Sequence, residues 1–206
     1  MTKKQNKKKL AVAKVLNLIG TMLIVVGLTF LYLTFGPAIK YETTYQLTKN
    51  RIIAEEELVP LDVGFSIIIP KIGATALVFA NVDPYNKDAY LPVLYKGIAH
   101  AKGTSFPDIA GNTYLFAHST DAFYNVGRYN AVFYLLGKLI PGDEIEVYYH
   151  GKAYKYVVEE VKVVSADAIK YLSASTNEKV LTLQTCYPPG TTLKRLVVIA
   201  KQIEGE

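Results

Sequence analysis

The sequence predicts a mainly β domain, a barrel or a sandwich, preceded by one N-terminal helix that crosses a membrane. Three observations lead there. From residue 63 onward, short apolar runs recur between Gly and Pro turn signals, the pattern of many short strands. Before them, residues 15–35 form a run of 21 residues without a charge. At about 1.5 Å of helical rise each, such a run spans the roughly 30 Å hydrocarbon core of a bilayer. Finally, the formal charge of +5 resides at one end of the 206-residue chain.

That end is a basic tail, residues 1–14. It holds Lys3, Lys4, Lys7, Lys8, Lys9 and Lys14 and no acid, which leaves 17 of the 23 basic side chains against 18 acidic ones in the rest. A nucleic-acid-binding protein needs a basic face on its folded domain, so no nucleic-acid partner is expected. Lysines on the N-terminal side of the apolar run hold that side in the cytoplasm and put the rest of the chain beyond the membrane. A cleaved signal peptide would have a shorter apolar region, roughly 7–15 residues, followed by a small-x-small cleavage site. "LTFGPAIK" offers no convincing site of that kind, which favours an uncleaved single-pass anchor. Residues 36–62, with mixed polar and charged side chains and the run "AEEE", read as a stalk with room for some helix.

The domain itself is 63–206. "GFSIIIP" (64–70) is an apolar run closed by proline, and "ATALVFANV" (74–82) follows it after the "KIG" turn. "NTYLFAHS" (112–119) is a strand ending at a histidine. "EIEVYYHGKAYKYVVEEVKVV" (144–164) reads as two strands joined at "HG". "KVLTLQTC" (179–186) and "LKRLVVIAKQI" (193–203) form a last pair around "YPPGTT". The best helical stretch is "NAVFYLLGKL" (130–139), short and stopped by Pro141.

The chemistry gathers around the one cysteine. Side chains alternate faces along a strand, so Leu181, Leu183 and Thr185 share the core face, and Cys186 emerges with Thr182 and Gln184 on the more polar one. A single thiol in an exported domain has no disulfide partner in its own chain and is a candidate reactive group, set against the ordinary role of a small buried side chain. If the last two strands pair antiparallel, Arg195 lies beside Cys186. There it stabilises a thiolate, or the oxyanion formed when the thiol attacks a carbonyl, unless it is only a solvated surface charge.

A thiol nucleophile near its free pKa of about 8.5 needs a proton partner. Three histidines are present. His150 precedes Gly151 in a hairpin turn and is expected to be incidental. His118 closes a strand and ranks first. His100, in a loop between strands, ranks second, and alternation does not decide between them. No metal site is expected, because no two of Cys186, His100, His118 and His150 form a short ligand pair.

With the anchor, the β domain, "AHS", "TLQTC" and the following arginine assembled, the chain resembles a sortase. Thr182-Leu183-Gln184-Thr185-Cys186 matches the family's Thr-Leu-x-Thr-Cys, Ala117-His118 its strand-ending histidine, and Arg195 its arginine on the next strand. The runs at 97–119 and "FSIIIPKIG" are similar to the family's as well, and the match covers roughly 63–203. "TCYPPG" resembles the class D and E types, and a chain without tryptophan has no Asp-Pro-Trp lid. That absence, and the lack of an apolar span after Ile203, weigh against the pilus-building class.

The resemblance implies a closed β-barrel of about eight strands with short helices, and a cysteine transpeptidase that uses no cofactor. Its substrates would be secreted proteins carrying a C-terminal sorting signal similar to Leu-Pro-x-Thr-Gly, cut between Thr and Gly. The acceptor would be an amine of the cell wall or of a pilin. Carried over by position, Cys186 is the nucleophile, His118 the general acid/base, Arg195 the oxyanion and backbone holder, and Thr185 a residue lining the substrate groove. Residues 165–178 fall where sortases read the sorting signal. Two alternatives stand beside this reading: a sortase-fold thiol protease that mainly hydrolyses, and a non-catalytic anchored β-domain that binds surface proteins. The 16 tyrosines would suit the second.

Overall fold

The computed structural model describes residues 3–48, 58–119, 132–172 and 176–203. Two compact units divide the chain, Met1–Ile39 and Lys40–Glu206. Helix α1 (Lys3–Thr48) is one continuous helix of 46 residues, so helical backbone continues beyond residue 35 into the segment read as a stalk. Within it, Ala11–Tyr32 is long and apolar enough to cross a membrane by length and composition. The "AEEE" run lies outside the described residues.

The larger unit is a closed eight-stranded barrel. Its strands are β1 (Phe65–Ile69), β2 (Ala74–Val82), β3 (Ile98–Ala101), β4 (Gly111–Phe116), β5 (Glu144–Tyr149), β6 (Lys152–Ser165), β7 (Lys179–Tyr187) and β8 (Lys194–Gln202). Around the barrel they run β1-β2-β3-β4-β7-β8-β6-β5, and β5 pairs back with β1. Closure leaves no free sheet edge. The β2–β3 and β4–β7 pairs are parallel and the rest antiparallel.

Alternation fills the interior. Ile67, Ile69, Leu115, Ile145, Val147, Leu181, Leu183 and Val198 point inward and are fully buried in one core cluster. The segment expected to be a helix packs into the same core. Only a 3₁₀ turn forms there, Leu136–Lys138, preceded by turns from residue 132, and residues 130 and 131 lie outside the described part. Phe133, Leu136 and Leu139 are buried in the core. Their spacing of three suits the three residues per turn of a 3₁₀ helix, and Gly137 and Pro141 keep a longer α-helix from forming.

Two elements escaped the sequence pattern. Helix α2 (Lys87–Leu94) starts at Asn86, whose side chain accepts from the backbone N–H groups of Asp88 and Ala89, but Pro92 inside it reads as a breaker. Strand β3 has four residues, all buried. One face joins the barrel core. The other is covered by α2, where Leu94, Tyr90 and Val93 pack with Ala99, Ala101, Tyr114 and Phe116. A strand buried on both faces shows no alternation, which is why His100 read as a loop residue.

Candidate active site

The site lies where β4, β7 and β8 run side by side. In the antiparallel β7–β8 ladder, Cys186 is directly opposite Arg195. On the other flank, β4 and β7 run parallel, with Tyr114 beside Thr182 and Phe116 beside Gln184. The alignment persists past the end of that ladder. The Ala117 N–H donates to Gln184 O at 3.1 Å, and Thr185 Oγ1 donates to Ala117 O at 3.0 Å. Continued one residue further, this alignment would bring His118 next to Cys186. Cys186 and Arg195 pair directly across β7 and β8, His118 follows two residues after the end of the neighbouring β4, and all three are half-buried.

Each position has a local cause. Leu181 and Leu183 are drawn into the core, which turns Cys186 outward. Proline stops the strand, and the chain reverses through residues 188–191, where Gly190 takes a φ of +80° and the Thr191 N–H donates to Pro188 O at 3.0 Å. That turn also holds the arginine: Arg195 Nη1 donates to Thr192 O (3.1 Å) and Lys194 O (3.0 Å). The His118 ring lies 5.8 Å from the ring of Tyr95, the residue that ends α2.

Partial burial pushes the Cys186 thiol above its ordinary pKa, while the Arg195 guanidinium pulls it back down. The thiol is therefore mostly protonated at neutral pH, and its reactivity depends on what shares its proton and on the nearby positive charge.

Thr185 is on the opposite face from Cys186. It is 3 % exposed, next to Leu181 and Leu183, with its hydroxyl committed to Ala117 O. His100 does not join Cys186 and Arg195. It is fully buried on the inward face, stacked on Phe106 at 4.5 Å. Its Nδ1 accepts from the Asn81 N–H at 3.3 Å, so Nε2 carries the proton and faces Ser105 O at 3.1 Å. Burial lowers its pKa. His150 takes a positive φ of 48° in the β5–β6 hairpin turn. Among the described residues no group of His, Cys, Asp and Glu side chains could hold a metal ion.

Two further residues shape this face. Asn112 is 4 % exposed; its Nδ2 donates to Tyr171 O and its Oδ1 accepts from Thr182 Oγ1, both at 2.8 Å. It ties the segment after β6, which contains the 3₁₀ turn Ile169–Tyr171, to the outward face of the barrel. Tyr114 donates its hydroxyl to Gln184 Oε1. Alternation on β4 signals them: a polar Asn112 and Tyr114 share the face of Phe116 and His118. Their partners are distant in the chain and have no sequence signal.

A family model described as the sortase domain matches residues 67–203. The chain belongs to the sortase family. It is 26% identical over 138 residues to sortase D of Bacillus subtilis, a match that covers 66% of this chain and 61% of that protein. The chain thus aligns with about three-fifths of that curated relative's length. Among solved structures, a lid mutant of sortase A from Corynebacterium diphtheriae superposes with a TM-score of 0.58 at 27% identity, covering 70% of this chain and 72% of that one. Sortase C1 of Streptococcus agalactiae, in complex with MTSET, gives a TM-score of 0.57 at 27% identity, over 68% of this chain and 67% of that one.

Proposed function

We propose that this chain is a membrane-anchored cysteine transpeptidase. It cleaves a C-terminal sorting motif similar to Leu-Pro-x-Thr-Gly and transfers the new carboxyl end to an amine of the cell envelope. The observation that carries this reading is the direct pairing of Cys186 with Arg195 across β7 and β8, and the β4–β7 register that leads on to His118 supports it. Membership of the sortase family supports it.

In this reading, Cys186 Sγ attacks the carbonyl carbon of the motif's threonine, and its proton passes to His118. Arg195 stabilises the oxyanion that develops on the carbonyl oxygen. His118 then protonates the departing glycine amine, the C–N bond breaks, and a thioester remains on Cys186. An incoming amine loses its proton to His118 and attacks the thioester. The thiolate leaves and is reprotonated. Thr185, expected from the sequence to line the groove, serves from beneath: its bond to Ala117 O holds β7 against β4 at the residue before His118. The apolar span in α1 holds the enzyme at the membrane, with the lysine tail in the cytoplasm and the barrel outside, where secreted proteins pass.

The test is intact-mass spectrometry of the full chain in detergent micelles, incubated with Leu-Pro-x-Thr-Gly peptides with and without triglycine. An acyl adduct on Cys186 that triglycine discharges faster than water supports transpeptidation. Discharge by water alone would mean a hydrolase. The Cys186→Ala variant keeps its circular dichroism spectrum and forms no adduct. Turnover by that variant would overturn the assignment.

A further inference from the structure

Gln184 lies on the outward face of β7, two residues before Cys186, and is half-buried. Its neighbours across the sheet are Phe116 on β4 and Val197 on β8, both buried and apolar. Packing alone would favour an apolar side chain between them. A carboxamide there must keep its hydrogen-bonding groups satisfied or bear a desolvation cost.

Half of it is satisfied from below. The Tyr114 hydroxyl donates to Gln184 Oε1. Burial drives the Tyr114 pKa well above the usual phenol range, with Arg195 acting in the opposite sense, so this hydroxyl keeps its proton. With its oxygen held by Tyr114, the carboxamide turns its NH2 group, two N–H donors, away from Tyr114. Among the described residues no protein acceptor meets those donors. Two residues along a strand are about 6.6 Å, and an extended peptide repeats at the same interval. A peptide whose reacting carbonyl sits at Cys186 therefore brings another carbonyl near Gln184. In the other direction from Cys186 the chain leaves the sheet after Tyr187. The motif has three residues before its threonine and one after it, so the longer acyl side is taken to run along β7 to Gln184.

We propose that Gln184 is a specificity-determining residue for the acyl donor: its side-chain N–H donates to the main-chain carbonyl of the motif's proline, two residues before the threonine that carries the reacting carbonyl. Tyr114 is a positioning residue that fixes the orientation of the carboxamide. The inference rests on the transpeptidase reading above.

The test uses the full chain in detergent, a Leu-Pro-Glu-Thr-Gly peptide, and the same peptide with the proline carbonyl replaced by a thioamide, a weaker acceptor. Gln184→Leu should raise KM about three- to tenfold, the scale of one neutral hydrogen bond, with kcat within about twofold. The thioamide should raise KM in the wild-type enzyme and not in Gln184→Leu. Tyr114→Phe, which frees the carboxamide to rotate, should give a smaller rise in KM. An unchanged KM in Gln184→Leu, or a thioamide penalty that persists in full in that variant, overturns the inference while the Cys186 adduct still upholds the transpeptidase. If the wild-type enzyme forms no adduct with any motif peptide, the reading of the site falls and this inference falls with it.

Discussion

Cys186 and Arg195 face each other as a direct pair in the β7–β8 ladder, and the arginine's Nη1 donates to the carbonyls of Thr192 and Lys194 just before it. Two opposing influences meet at the thiol. Burial raises its pKa, and the guanidinium lowers it. Removing the charge leaves burial unopposed.

Arg195→Gln should therefore move the Cys186 pKa further up. Below its pKa, a thiol loses about tenfold in thiolate for each unit of upward shift. Labelling by iodoacetamide at neutral pH should slow by about threefold or more, and the labelling profile should shift to higher pH. Arg195→Lys keeps the charge but not the planar fork of donors. It should restore most of the labelling rate and little of the turnover with peptide. Equal labelling profiles in wild-type and Arg195→Gln would show that the guanidinium does not act on the thiol.

The Asn112 carboxamide bridges β7 and the segment after β6. Asn112→Ala removes the partner of the buried Thr182 Oγ1 and of Tyr171 O on a half-buried residue, a loss of about 1–3 kcal/mol. The weaker side of the bridge is the short 3₁₀ turn Ile169–Tyr171, so the loss should be local. Amide hydrogen exchange should quicken at Ile169 to Leu172 while β7 stays protected. Peptide KM should rise if this segment borders the sorting-signal groove. Unchanged exchange there would show that Tyr171 and Leu172 hold by packing alone.

Much of this was legible in the residues because the strands alternate. Ala74–Val82 was read from the sequence with the same bounds as the strand that forms. The leucine pair in "VLTLQTC" was enough to put Cys186 on the outward face, and the short return through "YPPGTT" was enough to bring Arg195 opposite it. What escaped detection was set by tertiary contact. Strand β3 is buried on both faces and so has no alternation. Helix α2 depends on one Asn86 cap and tolerates a proline. The expected helix around Phe133 forms only a 3₁₀ turn, with Phe133, Leu136 and Leu139 packed into the core. The partners of Asn112, Tyr114 and His100 come from distant strands and loops, and no local pattern marks such pairs.

His100 illustrates the last point, and its burial carries a consequence for stability. The ring is enclosed by Phe65 and Phe106, and both nitrogens are engaged: Nδ1 by the Asn81 N–H, Nε2 at Ser105 O and Thr104 Oγ1. A protonated ring could no longer accept from Asn81, and burial disfavours its charge, so the folded-state pKa lies below the ordinary value of 6.5. The unfolded chain then binds the proton more readily than the folded one at mildly acidic pH. His100 thus contributes stability that is present in full above pH 6.5 and is lost as pH falls towards the lowered folded value. The slope from this one group is at most about 1.4 kcal/mol per pH unit. Chemical denaturation of the full chain in detergent, from about pH 7.5 down to about pH 5, should show this decline. His100→Gln retains an acceptor and a donor but does not titrate; its stability should be lower at neutral pH and its pH dependence flatter. An identical slope in both proteins would assign the acid sensitivity to other groups.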